Sequence, residues 1–112
     1  MGAVFEARRP GQPPVALKVL LPSADPDLLA RFEREAKVLR QLDARGIVRL
    51  LDYGGDRGRA YLVQELCPDG DLAGVLRKRG HLAPEEARAL VVPLCEALGA
   101  AHAVGIVHRD LK

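Results

Sequence analysis

Residues Val15–Leu21 read VALKVLL. A run rich in branched apolar side chains, preceded by the turn-forming PGQPP of Pro10–Pro14, reads as a β-strand. Alternate residues of a strand share a face. Ala16, Lys18 and Leu20 therefore point one way, and Val15, Leu17 and Val19 the other. Lys18 stands on an otherwise apolar face. It is either an edge lysine whose stem lies on apolar surface while its ammonium reaches water, or a cation kept there for chemistry. Upstream, AVFEARR (Ala3–Arg9) supplies the other arm of a hairpin.

Downstream, Ser23–Asp43 (SADPDLLARFEREAKVLRQLD) reads as a helix, with Ser23, Asp25 and Asp27 as capping candidates and Pro26 near the first turn. Its apolar stripe is Leu28, Phe32, Leu39 and Leu42, with one member missing midway. The residue at the gap is Glu35, which at about 100° per residue falls in the middle of the apolar face. A carboxylate buried there needs a partner, because leaving it unpaired costs several kcal/mol. The alternative is a stripe that meets solvent at that point. Two further strands, GIVRLLDYG (46–54) and RAYLVQELC (59–67), are separated by the tight turn GDRG. PDGD (Pro68–Asp71) opens a short helix that Gly80 ends. A longer helix follows in 82–105, with Pro84 near its start, Glu85 and Glu86 favouring its N-terminal dipole, and Gly105 closing it. Its stripe is Ala87, Leu90, Val91, Leu94, Leu98 and Ala101, and Pro93 inside it is expected to kink it.

Composition excludes several classes of function. At 112 residues, 48% apolar and 29% charged, the chain is ordinary globular sequence, one small domain or part of a larger one. A net charge of +2 with interspersed signs gives no nucleic-acid stripe, and 4% aromatic content without Trp gives no stacking platform. Cys67 and Cys95 match no metal spacing and read as reduced, buried thiols of a cytoplasmic protein. The first residues have the wrong order of charge and apolar run for a signal peptide. Ala89–Val107 is interrupted by Pro93, Glu96 and His102, so it reads as a core helix and not a membrane span, while an anchor beyond Lys112 stays open.

The chain ends on GIVHRDLK (Gly105–Lys112), a ring, a cation and a carboxylate in consecutive positions after the long helix. A strand lysine in VALK, a helix carboxylate, an extended segment ending in a turn, and HRDLK, in that order, resemble the bacterial serine/threonine protein kinases of eukaryotic type. The resemblance runs the whole length, and HRDLK is its most specific part. It implies an α+β fold: residues 1–66 form a kinase N-lobe lacking its first strand, 67–71 the hinge, and 72–112 the start of the helical C-lobe up to the catalytic loop. MGAV then resembles the end of the glycine-rich loop, with Gly2 its last glycine and Met1 an internal methionine.

The resemblance also implies roles. Lys18 holds the ATP phosphates and Glu35 pairs with it. Val4 and Ala16 pack on the adenine. Gln64 is the gatekeeper, and the Glu65 carbonyl and Cys67 amide read the adenine edge. Asp71 meets the ribose hydroxyls, or caps the short helix, or does both. Asp110 is the catalytic base and Lys112 neutralises the transferring phosphoryl group. His108 packs beneath the loop, Arg109 answers an activation-loop phosphate, and Leu39 and Leu50 tie helix to sheet. The Mg²⁺ ligands of the family, an asparagine and the aspartate of an Asp-Phe-Gly, occur nowhere in the 112 residues and are expected downstream. The expected activity is phosphoryl transfer from ATP to serine or threonine of a protein substrate, by a catalytic domain of which these residues are an incomplete, inactive part. The alternatives are a pseudokinase-like module that binds nucleotide or another kinase and, less favoured by HRDLK, a small-molecule phosphotransferase of kinase-like fold.

Overall fold

The structure, a computed structural model, describes residues 2–20, 26–109 and 111. The chain divides into two compact units, one of Met1–Asp43 with Val48–Leu66 and one of Ala44–Ile47 with Cys67–Lys112.

The first unit is a four-stranded antiparallel sheet with one helix. Its strands are β1 (Gly2–Ala7), β2 (Val15–Leu20), β3 (Leu50–Asp56) and β4 (Arg59–Glu65), in the order β1-β2-β4-β3. Between β3 and β4, Arg57 and Gly58 both take positive φ, 48° and 74°. Two left-handed central residues make the turn whose twist matches that of the flanking strands, and Asp56 pairs with Arg59 across it. At the far end of this pair the register shifts between Leu50 and Asp52, with Leu51 the extra residue. The bulge puts Leu50 and Tyr53 on one face, although they are three residues apart.

Helix α1 (Pro26–Gln41) packs on β3 and, more lightly, on β4. One expectation about it changes, that for the buried member of its stripe. Ser23 and Asp25, the capping candidates, lie outside the described residues, while Asp27 is the acidic residue of the first turn. The gap in the apolar stripe is filled by Ala36, which is 1% exposed. Leu29, Phe32 and Leu39 are half-buried with it, a spacing of three, four and three, and Glu35 is exposed. A methyl group lets the helix approach the sheet closely, and Glu35, about 100° further round, reaches water and needs no buried partner. Leu50, 6% exposed, lies on β3, the strand on which this helix packs, and Leu39 is half-buried on the helix.

The strand expected from Gly46 begins only at Leu50. Ala44–Ile47 forms a turn, with the Ile47 amide donating to the Ala44 carbonyl at 3.1 Å, and it belongs to the second unit. Gly46, at φ 85°, lies so close to the long helix that an added Cβ would stand 3.2 Å from the Ala97 Cβ and 3.5 Å from the Pro93 carbonyl oxygen.

The second unit holds α2 (Leu72–Arg79) and α3 (Pro84–Ala103). Asp71 caps α2, its Oδ1 accepting from the Gly74 amide at 2.7 Å, and Gly80 ends it at φ 80°. Helix α3 runs through Pro93 and closes on Gly105, at φ 80°. There the Gly105 amide donates to the His102 carbonyl and the Ile106 amide to the Ala101 carbonyl, both at 3.0 Å, the paired bonds that satisfy a helix's last carbonyls. Between the helices, the Glu86 carboxylate receives two bonds from the Arg79 guanidinium, both 2.8 Å, and one from the Ala83 amide at 2.9 Å. These donors pull the Glu86 carboxyl down to about 2, the Arg79 bond contributing most. Cys67 and Cys95 are both exposed free thiols, not the buried pair expected, because Cys67 follows the sheet in an open segment and Cys95 lies on the uncovered side of α3. Among the described residues, no helix is long and apolar enough to cross a membrane.

Candidate functional site

Register assembles the site on one face of the sheet. Lys18 pairs with Val4 on one side and Leu62 on the other, and Ala16 pairs with Glu6 and Gln64. Cross-strand partners share a face, so Val4, Glu6, Ala16, Lys18, Leu62 and Gln64 lie together, and Leu50 joins them as the partner of Gln64. Helix α1 covers the β3–β4 half of this face, where Leu50 and Ala60 are buried. Among the described residues it makes no packing contact with β2. The β1–β2 half is left open, and Val4 is 65% exposed.

The open half carries the apolar side chains of Val4 and Ala16, the Lys18 ammonium, and Glu6, whose carboxylate is held by Arg8. Such a surface can take a flat ring against the two small apolar side chains and an anion at the lysine. A lysine suits the second task as a compact charge on a flexible stem. Gly2 begins the same strand opposite Leu20. Among the described residues no ion pair joins Lys18 to Glu35. The separation follows from the placement of α1, which rests on β3 and β4 and not on the lysine's strand.

Where β4 ends, Glu65 is tied to Arg49. The Glu65 amide donates to the Arg49 carbonyl at 3.1 Å, and the Arg49 amide donates to Glu65 Oε2 at 3.1 Å. The Arg49 guanidinium stands 3.8 Å from Oε1. No sequence signal marked this pair, because the partners are 16 positions apart. The bidentate Arg79–Glu86 pair was missed for a related reason, since it spans the turn between two helices.

In the second unit, Cys67 is exposed and Asp71 has one carboxylate oxygen engaged as the α2 cap. His108, expected to pack beneath the loop, lies at the surface with Val107, Arg109 and Leu111. Arg109 takes φ 61°, a left-handed conformation that a side chain with a Cβ seldom adopts. Asp110 and Lys112 lie outside the described residues, as does Met1.

Comparison with known proteins places these features in a wider set. The family model described as the protein kinase domain matches residues 1–112. The serine/threonine-protein kinase PknE of Mycobacterium bovis is 41% identical over 115 residues, which take in 100% of this chain and 20% of the relative. PknL of Mycobacterium tuberculosis is 40% identical over 101 residues, 88% of this chain and 25% of the relative. The crystal structure of the Mycobacterium tuberculosis PknI kinase domain superposes with a TM-score of 0.84 at 32% identity, covering 100% of this chain and 47% of that one. The chain thus spans a fifth to a quarter of the length of these curated relatives and just under half of the solved kinase domain.

Proposed function

Because the chain belongs to the protein kinase domain family, with bacterial serine/threonine kinases among its relatives, we propose that it acts in phosphoryl transfer from ATP to serine or threonine hydroxyls of a protein. Residues 1–66 are the N-lobe, 67–71 the hinge and 72–112 the start of the C-lobe. The observation that carries this reading is the open half-face of the sheet, where Val4, Ala16 and Lys18 stand together by register.

In this reading Val4 and Ala16 hold the adenine, and the Glu65 carbonyl and Cys67 amide read its edge. Lys18 holds the phosphates, Glu35 steadies Lys18 when α1 moves toward β2, and Gly2 lets the backbone approach the phosphates. Asp71 keeps its second oxygen for the ribose. Asp110 orients the attacking hydroxyl and accepts its proton, and Lys112 offsets charge on the group in transfer. Mg²⁺ supplies further charge neutralisation. Its family ligands are not among these 112 residues, so residues 1–112 by themselves are expected to bind nucleotide weakly and to transfer nothing.

The test is Mg²⁺-dependent phosphorylation of a protein substrate by the full natural chain. Lys18→Ala and Asp110→Ala should each lower the rate by about 10²-fold or more. Lys18→Ala should also weaken nucleotide binding, and Asp110→Ala should leave it intact. Full activity in either variant would refute the assignment. One observation favours a second reading, a non-catalytic module that binds nucleotide or another kinase: Lys18 and Glu35 are not paired among the described residues. Nucleotide binding by the full natural chain without any transfer would select it.

A further inference from the structure

Arg49 and Glu65 occupy the point where the sheet gives way to an exposed segment. The last main-chain register pair of β3 and β4 is Leu50 with Gln64. One step further, the ladder continues in altered form. The Glu65 amide donates to the Arg49 carbonyl, but the Arg49 amide finds its acceptor in the Glu65 side chain, at 3.1 Å each. The carboxylate thus stands where a main-chain carbonyl would otherwise serve, and the guanidinium faces its other oxygen at 3.8 Å. Arg49 has a fixed base, because Leu50 beside it is 6% exposed. Beyond Leu66 the chain has no such support: residues 67–71 are all exposed, and Gly70 takes φ 81°.

We propose that this clamp positions the main chain of Glu65 for reading the base, making the Glu65 carboxylate a positioning group for nucleotide selection. The inference rests on the reading above, in which the Glu65 carbonyl accepts from the 6-amino group of adenine. A carboxylate consumed by Arg49 cannot itself face the nucleotide, so the main chain at this position does the reading. Both side chains are partly exposed, at 60% and 43%, so the pair adds little to folding stability. Its consequence is orientation. A carbonyl free to turn by a few tens of degrees makes a weaker, less well-aligned hydrogen bond.

The experiment measures binding of ATP and of inosine triphosphate, which carries an oxygen in place of the 6-amino group, to the full natural chain. The unsubstituted protein should prefer ATP. Glu65→Ala should weaken ATP by about 3- to 10-fold, the range of one hydrogen bond, and leave inosine triphosphate nearly unchanged, so that the preference collapses. Glu65→Gln keeps an oxygen for the Arg49 amide and should restore most of the preference. The melting temperatures of the variants should stay close together. A preference that survives Glu65→Ala overturns the clamp alone. Equal loss of both nucleotides also overturns it, by showing a general structural role. Equal binding of the two nucleotides by the unsubstituted protein overturns the reading of Glu65, and the clamp with it.

Discussion

Ala36 shows how one methyl group sets the distance between a helix and a sheet. It is 1% exposed in the middle of the α1 face that rests on β3. A larger side chain there has no space, so Ala36→Leu should push α1 off the sheet and destabilise the first unit by about 1–3 kcal/mol. Glu35→Leu, one position away and exposed, should change stability far less. Thermal unfolding of the two variants checks this, and a larger loss at Glu35 would put the wrong residue in the core. The same contrast explains why the sequence misplaced the buried member. Alanine carries a weak hydropathy signal, so the strong residues around it, Phe32 and Leu39, define a stripe whose gap falls at Glu35. The lysine of VALK was legible because strand alternation has a period of two and leaves no such ambiguity.

At the scale of elements, the join of α2 to α3 depends on one carboxylate. Glu86 receives Arg79 from the end of α2 and the Ala83 amide from the start of α3. Its pKa in the folded chain is lowered from the ordinary 4.5 to about 2. A depressed carboxylate adds stability that is fully present above the unfolded pKa and disappears as pH falls through the folded one. The difference in melting temperature between the unsubstituted chain and Glu86→Gln should therefore be constant above about pH 5 and shrink between about pH 4.5 and pH 2. The pair is surface-exposed, so the difference is small, and high salt should reduce it. A difference independent of pH across that interval would show that the charge plays no part. The helix ends themselves were readable, since Asp71, Gly80 and Gly105 are residues that local backbone geometry demands.

For the molecule as a whole, the second unit keeps few side chains out of water. Ala97 is the buried apolar residue that α3 contributes among the described residues, while Leu90 and Leu94 are 49% and 42% exposed and Val91 and Val92 lie open beside them. An apolar surface of this kind drives self-association. Replacing Leu90 by Lys and Leu94 by Gln should lower light scattering of the 112-residue chain without loss of helical circular dichroism. Scattering unchanged by both substitutions would locate the sticky surface elsewhere, with the outer side of the sheet at Phe5 the next to examine.

The sequence by itself determined the strands and helices, the tight turn at Arg57 and Gly58, the helix ends, and the family, through VALK and HRDLK. The elements, turns and helix ends depend on residues within a turn or two of one another, where sterics and hydrogen-bonding groups decide the outcome, and the family on short motifs in order along the chain. The tertiary structure alone decided the strand order β1-β2-β4-β3, which sets Lys18 between Val4 and Leu62. It also decided that Ala36 and not Glu35 is buried, that Ala44–Ile47 belongs with the second unit, and that Glu65 is held by Arg49. Burial and pairing of this kind depend on which distant segment arrives opposite a residue, and periodicity within a segment carries no record of its partner.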